Sequence, residues 1–149
     1  MKKIILAVAI MGVCFTEAAA QAEYKVVTVV ESIVPMGLGR SRIIEATSPI
    51  NYEDFTTARV EGKDGGKQGK VKRGEAKIDG LNETKLLNFY SGVGLNFQNI
   101  ASNDALITSM MNKMAKDGWE LFSVAAGVES KGSKDDKAGI FITRFIFKK

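Results

Sequence analysis

The chain has 149 residues, 21 basic against 17 acidic side chains and a formal net charge of +4. It contains no histidine and a single cysteine, Cys14. Absence of histidine removes the commonest general base and metal ligand, the mild positive charge is too weak by itself to argue for nucleic acid, and the length suits one ordinary domain.

The first segment has the layout of a secretory signal peptide. Lys2 and Lys3 precede an apolar run from Ile4 to Phe15, and small residues follow at Ala18, Ala19, Ala20 and Ala22. Cleavage is expected after Ala20 or Ala22. The protein is therefore expected to be exported, to the periplasm or beyond. The apolar run is too short for a permanent membrane helix, and no later stretch is long and apolar enough to be one. Cys14 follows Val13 inside that run, which is not the setting of a lipidated cysteine. Cleavage removes the only thiol, so the mature chain has no disulfide, no thiolate metal site and no thiol nucleophile. Loss of Lys2, Lys3 and Glu17 leaves 19 basic against 16 acidic side chains.

Residues 23–149 read as one α+β domain: an antiparallel sheet, one main helix on one face, and an extra hairpin region. Glu23 to Val34 is rich in β-branched residues and predicts a strand with both faces largely apolar. Pro35 to Gly39 predicts a turn, and Arg40 to Thr47 a returning strand. Tyr52 to Glu61 carries a weaker strand signal. Gly62 to Glu75 holds five glycines and five basic residues. Such a segment cannot bury enough surface to order itself, and predicts a mobile basic loop at 62–75 whose second arm runs from Val71 to Ile78. Gly92 and Gly94 interrupt the apolar run from Thr84 to Ile100, which suggests a bend, a bulge or two short strands.

Ser102, Asn103 and Asp104 supply short polar side chains for a helix start. Ile107, Met110, Met111 and Met114 then recur at helical spacing, with Leu106 at the stripe's edge. A methionine stripe can mark an adaptable binding surface; at this spacing it predicts core. Lys113 and Lys116 suit the negative end of the dipole, and Gly118 can take the left-handed conformation that ends a helix. Trp119 to Ser130 predicts a strand, Lys131 to Gly139 a polar turn, and Ile140 to Lys148 a closing strand. Ile140, Ile142 and Ile146 share one face of it; Phe141, Phe145 and Phe147 share the other. One helix covers one face of a sheet. The second face then needs another cover: the middle hairpins, a second copy of the chain, or another envelope protein.

The segments EYKVV at Glu23 to Val27, GWELFSV at Gly118 to Val124 and FIFKK at Phe145 to Lys149, with the helix ending at Gly118, resemble the bacterial domain of unknown function 4177 family. The likeness covers the two ends and the helix, about half of the mature chain. The long middle segment from Val34 to Ile100 and the export signal depart from the family pattern. The resemblance implies an α+β fold and no known catalytic or binding residue.

Glu53 with Asp54, and Asp135 with Asp136, are adjacent carboxylates in polar surroundings, whereas glycosidase chemistry needs two across a cleft. Lys134 to Lys137 brackets the second pair with cations and lacks the spaced acids of a calcium loop. Gly37, Gly39, Arg40 and Arg42 could form an anion nest flanked by two arginines, although no helix opens there and no phosphate-loop motif is present. Lys63, Lys67, Lys70, Lys72 and Arg73 form a basic patch without aromatics to stack bases, so nucleic acid is not an expected partner. The sequence thus favours a non-enzymatic envelope protein acting as a binding or assembly module. A small anionic ligand held by the Gly37–Arg42 turn is the alternative, and a hydrolase using Glu53 or Asp54 a third choice. No cofactor or metal is implied.

Overall fold

The computed structural model describes residues 22–33, 38–56, 72, 74–129 and 139–149. The leader at 1–20, the turn residues 35–37 and most of the basic segment lie outside the described residues.

Five antiparallel strands form the main sheet: β1 (Tyr24–Ser32), β2 (Leu38–Ala46), β3 (Leu81–Leu87), β6 (Glu120–Glu129) and β7 (Ile140–Lys148). Their order across the sheet is β3-β2-β1-β7-β6. Between β3 and β6 the chain makes a small hairpin, β4 (Tyr90–Ser91) and β5 (Gly94–Leu95), and then the helix α1 (Phe97–Lys116). The fold is α+β, with one main helix and an extra hairpin. Because β3 and β6 stand on opposite edges, α1 must carry the chain across the sheet. Its 20 residues span about 30 Å, while four strand spacings need only about 19 Å, so the helix can cross diagonally.

The alternation in β1 decides which residues meet the helix. Val27 and Val29 are buried, with Ile43 of β2, Leu86 of β3, Phe147 of β7 and Met114 of α1 around them. Ile107, Met110, Trp119 and Phe145 pack against this cluster. The methionine stripe is therefore core at Met110 and Met114.

The end of α1 follows the expected pattern in detail. Gly118 has φ +84°. Its N–H donates to the Ala115 carbonyl at 3.0 Å, and the Trp119 N–H donates to the Met114 carbonyl at 2.9 Å. These paired bonds satisfy carbonyls the helix leaves free, and Trp119 packs back against the core cluster that holds Met114. The two ends of the domain lie side by side: the Glu23 and Lys149 backbones exchange bonds of 3.0 and 2.9 Å.

Three expectations require correction. The helix begins at Phe97, not at Ser102 to Asp104. Asn96 is the cap, its Oδ1 accepting from the Gln98 and Asn99 N–H groups at 3.0 and 3.2 Å. Asn96→Ala is expected to cost about 1 kcal/mol of stability, measured by urea denaturation. Tyr52 to Phe55 form a short 3-10 turn rather than a strand, because the Asn51 side chain accepts from the Glu53 N–H and caps it. Gly74 to Ala76 form a turn and Lys77 a bend, with no second hairpin arm across 74–78; the Lys72 N–H donates to the Glu75 carboxylate at 3.0 Å, closing the chain on itself.

Candidate functional site

Two features stand out once the fold is in place: a buried polar knot under the start of α1, and a broad apolar surface that α1 leaves open.

The knot joins three strands to the helix. Ser41 Oγ accepts from the Ser32 N–H at 2.9 Å and donates to Asn88 Oδ1 at 2.8 Å. Asn99 Nδ2 donates to the Asn88 carbonyl at 2.8 Å. Asn103, fully buried, acts as a surrogate strand partner for β3. Its Oδ1 accepts from the Leu87 N–H and its Nδ2 donates to the Leu87 carbonyl, both at 2.8 Å. The same Nδ2 donates to Glu31 Oε1 at 3.0 Å. Ser41 has the position of a nucleophile without its chemistry. Its proton faces an amide oxygen, which is no base, and its oxygen is buried. The knot holds the helix in place.

Burial pushes the Glu31 carboxyl above its ordinary range, the Asn103 amide pulls it back, and the Asp104 charge adds to the rise. A carboxyl raised in the folded state contributes stability that is full below its unfolded value and is lost as pH rises through the folded one. Glu31→Gln keeps an oxygen for Asn103 and cannot ionise. It is expected to raise the urea midpoint at neutral pH and leave it unchanged well below the ordinary carboxylate range. An equal effect at both pH values would point to packing instead.

The open surface has two parts. The outer sheet face carries Tyr24, Val26, Thr28 and Val30 of β1, beside Ile44 of β2 and Ile142 and Ile146 of β7. The helix lies on the opposite face, and among the described residues no element covers this one. Val26 is 44% exposed. Phe122 is 61% exposed and meets the Tyr24 ring edge-on at 5.6 Å. Arg144 and Lys148 stand among these apolar side chains. The second part is β6. All ten of its residues are exposed, Val128 to 66%. A depression of about 490 Å³ runs along it, lined by Ala125 to Glu129 with Ile142 and Arg144. The sequence announced both apolar faces. It did not show that the bare region is continuous with an edge strand. The hairpin tip leaves Val93 99% exposed, and the start of α1 leaves Phe97 74% exposed.

The residues singled out from sequence are scattered. Gly37 lies outside the described residues. Gly39, Arg40 and Arg42 belong to β2 rather than to a turn. Arg42 is ion-paired with the Glu83 carboxylate, and Arg40 is exposed. Lys63, Lys67, Lys70 and Arg73 lie outside the described residues, as do Asp135 and Asp136; Lys72 is exposed. Glu53 and Asp54 sit exposed on the 3-10 turn. A groove of about 490 Å³ between α1 and β2–β3 has Val27, Ile43 and Met110 within it. Its carboxylates Glu45 and Glu83 are paired with Lys25 and Arg42. Among the described residues no group of three or more metal-ligating side chains gathers, and no helix is long and apolar enough to cross a membrane.

No family model, no curated protein and no solved structure matches the chain.

Proposed function

We propose that the protein is an exported, non-enzymatic component of the cell envelope that works by contact, as a binding or assembly module. One observation carries this reading: the sheet is apolar on both faces and α1 covers only one of them. Among the described residues nothing lies over the other, and an apolar face left open marks an interaction site in a folded protein. The signal-like leader supports export. The resemblance of the chain's ends to the domain of unknown function 4177 family supports the same fold and brings no catalytic residue with it. The lack of histidine throughout, and of any cysteine beyond Cys14, leaves few groups for acid–base or nucleophilic chemistry.

The anion-binding alternative has weaker support, because the Arg42 guanidinium already faces a carboxylate. A thermal shift with inorganic phosphate that disappears in the Arg40→Ala, Arg42→Ala double variant would restore it.

The contact reading is tested on the outer face. A photo-crosslinking residue placed at Val26, Phe122 or Ile146 in the exporting cell is expected to give discrete adducts. The same residue at Glu53, on the polar 3-10 turn, is expected to give none. Absence of adducts from all three outer positions overturns the proposal.

A further inference from the structure

The two edges of the main sheet are treated differently. At the β3 edge, Asn103 occupies both backbone groups of Leu87, and Asn82, Glu83, Thr84 and Lys85 line the strand with polar and charged side chains. Such devices stop a sheet edge from pairing with another chain. Among the described residues the β6 edge has neither of these. Between Glu120 and Glu129 its residues are Leu121, Phe122, Ser123, Val124, Ala125, Ala126, Gly127 and Val128, with no charge and no proline. Its register shift lies between Leu121 and Ser123, and from Ser123 to Glu129 the pairing with β7 is regular.

We infer that β6 pairs antiparallel with β6 of a second copy, about a two-fold axis at Ala126, so that two five-stranded sheets become one. This rests on the contact reading above and names its partner. The sequence of the strand is self-complementary in that register. An antiparallel pair places opposite residues on the same face. Centring it on Ala126 sets Val124 against Val128, Ala125 against Gly127 and Ser123 against Glu129. The valines then continue the helix-side apolar surface, where Val124 and Val128 are otherwise exposed. No glutamate faces a glutamate, which would be unfavourable directly across a pair. Gly127 fits the same picture. A Cβ there would meet nothing within 4 Å, so the fold's own packing gives no reason for a glycine. Opposite Ala125, it keeps the seam slim on the outer face. The shallow depression along Ala125 to Glu129 is the space the second strand would border.

The mature segment has no cysteine, so the register can be read with a single thiol. In the full-length chain carrying Cys14→Ser, Ala126→Cys puts two thiols across the axis. The Cα atoms of directly opposed residues lie about 4.5 or 5.5 Å apart, within disulfide reach. Mild oxidation is expected to convert most of this variant into a dimer on a non-reducing gel. Ala125→Cys is displaced by two residues from its counterpart and is expected to crosslink far less. Ala126→Lys, exposed and opposed to itself, is expected to turn the dimer seen by light scattering into a monomer with unchanged far-ultraviolet dichroism. A wild-type monomer with no crosslink at Ala126 overturns the pairing. Preferred crosslinking at Ala125 overturns the register. If β6 pairing fails while Val26 and Ile146 still give adducts in cells, the contact reading stands and only its self-association form falls.

Discussion

Replacing Phe147 by alanine is expected to lower the unfolding free energy by about 3–5 kcal/mol, the range for deleting a buried aromatic ring. Phe147 is 2% exposed. It lies on β7 opposite Lys25 of β1 and Leu121 of β6, on the sheet's helix side. Val27, Val29 and Met114 belong to the same cluster, and Trp119 packs against it. The rigid strands on both sides cannot close the void. A domain of this size is held by roughly 5–15 kcal/mol in all, so the variant should unfold at a much lower urea concentration with a similar slope. Phe147→Leu retains most of the volume and should lose far less. A midpoint for Phe147→Ala close to wild type would mean that the ring is not the centre of the core.

The second large effect is expected at Asn103. Asn103→Ala removes three hydrogen bonds together, to the Leu87 N–H, the Leu87 carbonyl and Glu31. Each partly buried group left without a partner costs about 1–3 kcal/mol, less where water can enter, so a loss of about 2–4 kcal/mol is expected. Amide exchange at Leu87 should quicken more than stability alone accounts for. Asn103→Asp separates polarity from shape. A carboxylate still accepts from Leu87 N–H but has no hydrogen for the Leu87 carbonyl, and it faces Glu31. Its defect should be largest at neutral pH and shrink as the medium is acidified. A pH-independent defect would show that the Glu31 contact contributes nothing.

Asn103 also explains where the sequence was hard to read. It lies four residues before Ile107 and seven before Met110, on the buried stripe, yet a short polar side chain beside Ser102 and Asp104 resembles a helix cap. The true cap, Asn96, follows a glycine-broken apolar run, and Phe97 fits a strand pattern as well as a helix start. Local chemistry offered two starts. Only the tertiary setting, with β3 ending beside α1, chooses between them. At the other end Gly118 and Trp119 were legible because a positive φ and a returning apolar residue have few other uses. The closing strand, Ile140 to Lys148, was legible over its whole length because seven of its nine residues are β-branched or aromatic. The 3-10 turn at Tyr52 was not, since its aromatic and β-branched residues mimic a strand while Asn51 sets the backbone. As for the surface, the two-sided apolar pattern predicted that something must lie on the outer face. Strand order made β6 an edge, and no pattern within β6 could have shown that.

The adjacency of Glu23 and Lys149 has a mechanical consequence. β1 and β7 run antiparallel, so a pull on these two residues separates the strands from one end. Their hydrogen bonds would then break one after another instead of resisting together in shear. Stretched between two anchors, the domain should open at low force, peeling from Glu23 towards Ser32. Held through the outer face of its sheet, with both ends slack, it would bear no such load.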